Sequence, residues 1–114
     1  MRHLKTKKKL KRTKGQREAL LKTLANSLIL KEKITTTEAK AKSLSRFVEP
    51  KIEKSKINQL SNIRYLARFF PKEIVKKMIN EIGPRYKDRN GGYTRIIKIG
   101  QRKDGSLMVK IELV

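Results

Sequence analysis

Apolar residues along this chain follow a helical period for the first two thirds and an alternating one at the end. Leu20, Leu21, Leu24, Leu28 and Ile29 recur at three- and four-residue steps, which predicts an amphipathic helix over residues 14–32. Its start is marked by Thr13 and Gln16, which have capping-box spacing. Glu18 in the first turn and Lys31 and Lys33 at the end lie on the favourable sides of the helix dipole. Ile34-Thr35-Thr36-Thr37 is a short β-branched run and reads as an edge strand. Thr35 and Glu38 repeat the capping-box spacing, and Ala39, Ala41, Leu44, Phe47, Val48 and Ile52 continue with helical period. Pro50 interrupts that pattern and predicts a kink or an end near residue 49, with a polar loop from Lys54 to Asn58.

Ile57, Leu60, Ile63, Leu66, Ala67 and Phe70 form a third, shorter amphipathic stretch. Pro71 suits the first turn of a fourth helix, whose apolar side is Ile74, Val75, Met78, Ile79 and Ile82. Gly83-Pro84 reads as a stop, with the glycine taking a left-handed cap. The period then changes. Residues 85–92 are basic and end in Gly91-Gly92, a loop signature. Residues 93–99 are rich in β-formers, and Leu107, Val109, Ile111 and Leu113 alternate with Met108, Lys110 and Glu112. With Asp104-Gly105 at the tip of the Gly100–Ser106 connection, the two runs predict an antiparallel hairpin packing its apolar face on the helices. No internal repeat is visible. The expected class is α+β: two layers, about four helices, a short strand, a C-terminal hairpin and a basic N-terminal extension. The division is a basic arm over 1–13 and one globular α/β domain over 14–114, as suits 114 residues.

Charge decides what such a body is for. There are 31 Lys and Arg against 10 Asp and Glu, a net +21. The first seventeen residues, MRHLKTKKKLKRTKGQR, carry nine cations, no carboxylate and only two large aliphatic residues, Leu4 and Leu10. Such a segment buries too little apolar surface to offset the entropy of ordering, and it is expected to settle only on a polyanion. The other 97 residues hold 22 cations against the 10 acids, a net +12, so the body is basic as well. Nucleic acid is the partner this implies, because each neutralised phosphate releases counterions. The candidate contacts are Arg2, His3, Lys5, Lys7, Lys8, Lys9, Lys11, Arg12, Lys14 and Arg17 in and beside the arm. Further along, Arg85, Lys87, Arg89 and Arg95 interleave with Tyr86 and Tyr93. Cations alternating with aromatics suit phosphates and unstacked bases, and core packing of both tyrosines is an equal reading.

Other chemistry finds little support. The absence of cysteine excludes disulfides, thiol catalysis and Cys-ligated zinc. His3 is the single histidine and the carboxylates are scattered, so neither a metal site nor a nucleophile–base pair can be assembled; no enzyme and no cofactor are expected. Gly91-Gly92 precedes a strand instead of opening a helix, unlike a phosphate-binding loop. It is either a plain turn or a place for close backbone approach. No apolar run nears the roughly 18 residues of a membrane span. The basic N-terminus lacks the apolar stretch of a secretory signal, so an intracellular protein without a membrane partner or small-molecule substrate is expected. A DNA-packaging role would use the same charge, but no recognition-helix pair or wedge-tipped β-arm is evident. A membrane-surface role would need the leucines of the first helix, which the domain requires for its core.

The segment NEIGPRYKDRNGGYTRIIKIG, followed by a turn and a terminal IELV, with MRH at the start and ITTTEAKAK and VEP between, resembles the bacterial large-subunit ribosomal protein seventeen family over essentially the whole chain. The resemblance implies a two-layer α/β fold and a structural, cytoplasmic role. The protein would be bound to large-subunit rRNA near the exit of the peptide tunnel, beside other ribosomal proteins. Some positions depart from the family's usual pattern. Leu4, Lys7-Lys8 and Gln16 stand where the family often has arginine, Gly-Arg and histidine, and Lys51 stands where it usually has an apolar residue. Lysine keeps the charge but lacks the guanidinium fork that grips phosphate with two hydrogen bonds, so this arm is expected to neutralise more than it recognises.

Overall fold

The computed structural model describes residues 13–114. Helix α1 spans Lys14–Lys31. Thr13 Oγ1 accepts from the Gln16 N–H at 3.3 Å, and Gln16 Oε1 accepts from the Thr13 N–H at 3.2 Å, closing the expected capping box. Ala25, Leu28 and Ile29 are its buried face. The helix ends on Glu32 in the left-handed region (φ 67°), whose N–H reaches Leu28 O at 2.7 Å. Strand β1 (Lys33–Thr37) follows, and α2 (Glu38–Ser55) starts one residue later. The cap of α2 is Thr37, not Thr35. Thr35 and Thr36 lie inside the β ladder opposite Lys110 and Val109, while Thr37, opposite Met108, is the last residue of the strand, so the chain turns into the helix there and the Thr37 side chain accepts from the Lys40 N–H.

Pro50 does not end α2, which runs on to Ser55. The proline is exposed, so the Arg46 carbonyl it leaves without an amide donor belongs to the solvent side of the helix. Val48 and Ile52 are fully buried on either side of it, and their packing holds the helix together. Helix α3 is Leu60–Ala67. Only Leu66 of α3 is buried; Ile57 and Leu60 are exposed by 57% and 61%, so the start of that apolar stretch faces outwards instead of joining the core.

Pro71 caps α4 (Lys72–Lys77), which continues through a π-helical turn (Met78–Ile82) into a last helical turn (Gly83–Arg85). The predicted stop at Gly83-Pro84 is therefore wrong. Gly83 is right-handed, with φ −55°. A proline at 84 would crowd the carbonyl four residues back, and the wider π-turn, in which the Gly83 N–H reaches Met78 O, makes room for it. The glycine serves closeness instead: a Cβ there would lie 2.1 Å from the Ser55 carbonyl oxygen.

Strands β2 (Thr94–Gln101) and β3 (Leu107–Leu113) form the hairpin. The sheet order is β1-β3-β2, antiparallel throughout, with β1 at an edge as expected. Between Lys98, opposite Val109, and Gly100, opposite Met108, Ile99 is the extra residue of a bulge. Val109, Ile111 and Leu113 face the helices and are buried, while Ile97 and Ile99 on β2 remain exposed. Helices α1 and α2 lie on the sheet, with α3 and α4 packed against them. Helix α2 packs on α1, α3, the π-turn and all three strands, and its inner residues Ala41, Leu44, Val48 and Ile52 are the centre of the core.

Candidate nucleic-acid interface

A chain of net +21 has few acids to distribute, and where they go determines which cations hold the fold and which are left over. Glu32 is the busiest. Arg85 grips it with both guanidinium nitrogens at 2.7 and 3.0 Å, and Lys77 Nζ lies 3.4 Å away. Arg85's bonds hold the Glu32 carboxyl below the ordinary carboxylate range, with Lys77 adding to the effect, and in turn raise the Arg85 value. Leu113 N–H donates to Glu32 O at 2.9 Å, so this left-handed residue joins α1, α4 and β3. Glu49 accepts from the backbone and hydroxyl of Thr94 at 3.1 and 2.7 Å. Glu53 accepts from the Tyr93 hydroxyl and pairs with Lys56 at 3.4 Å; the hydroxyl is the larger reason its carboxyl is held low. Glu112 pairs with Arg95 at 2.6 Å and Lys110 at 3.7 Å across the open sheet face. Glu38 takes Lys42, and Asp104 takes Arg102 inside the hairpin turn.

The basic loop read from the sequence is therefore braced from within the protein, although Arg85, Lys87, Arg89 and Arg95 stay exposed. Arg85 and Arg95 are ion-paired as above, and Arg89 Nε donates to Gly92 O at 3.0 Å, bracing the positive-φ pair Gly91 and Gly92. Lys56 Nζ donates to Arg89 O from the end of α2. Of the two readings for the tyrosines, the structure takes packing. Tyr86 and Tyr93 are 3% and 1% exposed, with ring centroids 5.2 Å apart. The Tyr86 hydroxyl donates to Val114 O at 2.6 Å, and burial pushes that hydroxyl's pKa up. Neither ring has a face free for a base. Arg2, His3, Lys5, Lys7, Lys8, Lys9, Lys11 and Arg12 lie outside the described residues. Lys14 is exposed at the start of α1, and Arg17 is half-buried one turn on.

The cations left over lie elsewhere. Among the described residues, the side chains of Lys14, Lys31, Lys33, Lys40, Arg46, Arg64, Arg68, Lys72, Lys76, Lys87, Lys98 and Lys103 have no hydrogen bond, ion pair or ring contact with a protein group. Arg46 and Lys54 belong to the exposed stripe of α2. Arg64 and Arg68 stand one turn apart on the outside of α3, and Lys72 and Lys76 one turn apart on α4. Lys98 and Lys103 sit on the hairpin, whose turn is stiffened by Arg102, Asp104 and Ser106. Sequence reasoning passed over Arg46, Arg64, Arg68, Lys72 and Lys76 as ordinary solvated helix faces; the signal available was their spacing by four with no acid at the matching positions.

Among the described residues no group of three or more His, Asp or Glu is placed to hold a metal, and no helix is long and apolar enough to cross a membrane. What fold and surface define is a small, strongly basic α+β protein that uses several of its few acids to brace its elements and leaves a dozen cations without a counter-charge among the described residues, the physical profile of a polyanion binder. The model of the family described as Ribosomal protein L17 matches residues 20–114. The chain is 48% identical over 108 residues to the large ribosomal subunit protein bL17 of Carboxydothermus hydrogenoformans, covering 93% of this chain and 96% of that protein. It is also 48% identical over 109 residues to the protein of the same name from Natranaerobius thermophilus, covering 94% and 96%. The chain belongs to the ribosomal protein L17 family. That family is structural rather than catalytic, and the protein is not an enzyme.

Proposed function

We propose that this protein is a cytoplasmic structural constituent of the large ribosomal subunit that binds large-subunit rRNA by neutralising its phosphates. It would sit near the exit of the peptide tunnel, beside neighbouring ribosomal proteins. Membership of the family supports the subunit, and the resemblance drawn from the sequence supports the tunnel-exit position. The observation that carries the binding mode is the division of charge. The carboxylates of Glu32, Glu49, Glu53 and Glu112 are engaged between elements of the fold, while a dozen cations on the helices, β1, the connecting loops and the hairpin have no protein counter-charge among the described residues. Phosphates supply that counter-charge, and neutralising them where RNA segments converge offsets their mutual repulsion. The basic arm over residues 1–13, with seven further cations in its sequence, would add the same chemistry to that of the domain over 14–114.

Deleting residues 1–12 tests both halves of this reading. The truncated chain should melt within about 2 °C of the full chain, because residues 1–12 offer only Leu4 and Leu10 as large aliphatic side chains. Its binding to large-subunit rRNA should weaken, and the plot of log K against log salt should flatten by about 0.7–0.9 for each phosphate that is no longer neutralised. An unfolded truncation would make the arm part of the domain. Unchanged affinity and slope would refute the neutralising role of the arm, and a clear preference of the full chain for duplex DNA over folded rRNA would refute the ribosomal reading of the surface.

A further inference from the structure

One cation is largely buried and still without an acceptor. Lys51 on α2 is only 7% exposed, yet no carboxylate, carbonyl or hydroxyl accepts from its ammonium among the described residues. Its Nζ lies 3.9 Å from the centroid of the Phe47 ring and 4.2 Å from that of Phe69. The two rings meet edge to face at 5.8 Å, and Tyr65 adds a third at 5.3 Å from Phe69. Aromatic faces attract a cation through their quadrupole, but they offer its three N–H donors no lone pair. Asn26 Oδ1 is the sole fully enclosed side-chain polar atom without a partner among the described residues. The Lys51 ammonium, also without one, therefore keeps an opening to solvent. Burial pushes its pKa down with no acid to offset the effect.

Two more lysines flank the same rings. Lys22 from α1 lies over the Phe69 ring at 5.9 Å, and Lys54, one turn along α2 from Lys51, lies over Tyr65 at 5.7 Å. Phe47, Tyr65 and Phe69 are each half-buried, so part of every ring stays accessible. A buried ammonium lacking acceptors wants an anion, and partly open aromatic rings flanked by lysines suit an unstacked base. We infer that Lys51, backed by Phe47 and Phe69 and flanked by Lys22, Lys54 and Tyr65, forms a built site for one phosphate of a single-stranded RNA segment. The adjoining base rests on the open part of the rings. This deepens the rRNA-binding reading and rests on it for the source of the phosphate. The two-ring backing distinguishes the site from the solvated lysines elsewhere: the ammonium rests against Phe47 and Phe69, so the anion is held at one place.

Lys51→Met in the full chain tests the site, since methionine keeps length and apolar packing while removing the charge. The variant should fold and melt no lower than the wild type, because a desolvated charge has gone. It should bind large-subunit rRNA about tenfold more weakly, as expected for one charge-assisted hydrogen bond, with a salt slope shallower by about 0.7–0.9. Affinity and slope equal to wild type would overturn the inference and leave Lys51 as packing or as a site for an acidic peptide. A second measurement does not depend on rRNA. Titration of the wild type with inorganic phosphate should shift the Phe47 and Phe69 ring resonances, and the shift should vanish in Lys51→Met. If the wild type fails to bind rRNA, the proposed function is overturned, and the phosphate titration decides the site alone: ring resonances that do not move refute it.

Discussion

Replacing Gly83 by alanine isolates the contact that fastens the end of α4 to the end of α2. With φ −55°, Gly83 is ordinary helical backbone, so alanine meets no torsional strain and would gain about 1 kcal/mol of helix propensity. Space opposes it. The added Cβ would lie 2.1 Å from Ser55 O, 2.8 Å from Ser55 C and 3.2 Å from Lys56 Cα. All three are backbone atoms, so no side chain can swing aside. Restoring an ordinary contact of 3.4 Å requires a shift of roughly 1.3 Å. Moving Ser55 and Lys56 disturbs the bond from Ser55 Oγ to Ile52 O at 2.6 Å and that from Lys56 to Arg89 O. Overpacking of this kind costs about 1–3 kcal/mol, and with immovable neighbours the upper end applies, leaving about 2 kcal/mol of destabilisation after the helix gain. For a domain of this size the melting temperature should fall by about 10 °C. Circular-dichroism melts of the full chain read this directly, with Gly15→Ala as control, since nothing lies within 4 Å of a Cβ at Gly15. Gly83→Asn separates sterics from a left-handed cap. Asparagine is tolerated in left-handed caps, so a mild Asn variant beside a severe Ala variant, or an Ala variant as stable as wild type, would refute the packing argument.

Two further outcomes follow from the interior charges and hydroxyls. Glu32's folded pKa lies below its ordinary 4.5, so its ion cluster contributes stability above that value and loses it as pH falls through the lower folded value. Glu32→Gln should flatten the acid side of a melting-temperature profile below about pH 4.5 and leave the neutral side less stable by under about 1 kcal/mol, since the pair is partly exposed; an unaltered acid limb would contradict this. Tyr86→Phe removes the bond to Val114 O and should cost about 0.5–1.5 kcal/mol in a urea melt without changing rRNA affinity. Weakened RNA binding at unchanged stability would reinstate Tyr86 as a contact residue.

The sequence's legible features were those in which one local signal had no competitor. The α1 cap, the β1 edge, the alternating β3 residues and the glycine-bearing hairpin turn all lie where read. Misreadings came where a distant partner outweighed a local rule. Thr35 has capping spacing, but its backbone is held by Lys110 across the sheet. Pro50 is a helix breaker, but Val48 and Ile52 are buried on either side of it. Gly83-Pro84 is a stop signal that a π-turn absorbs because the glycine is needed against Ser55. Each partner lies on another element or depends on burial, and neither can be seen from the residue's immediate neighbours in sequence.

Within the body, distant partners likewise decide which cations of the candidate interface are engaged by the fold. Residues 85–95 hold the densest mixture of cations and tyrosines outside the arm, so they drew attention. Density, however, is also what a connection needs to be fastened in a chain so short of secondary structure there. Glu32, Glu53 and Glu112, none of them local, convert Arg85, Tyr93 and Arg95 into braces. The helical cations spaced by four find no such acid and stay available. On the proposed phosphate-neutralising role, a cation far from every carboxylate in space is a stronger candidate for RNA contact than one in a merely rich sequence neighbourhood. Lys51 carries that rule furthest: it is buried, aromatic-backed and has no acid at all. It therefore bears a charge that the fold meets with two aromatic rings and no acceptor, at a position where an apolar residue would pack as well.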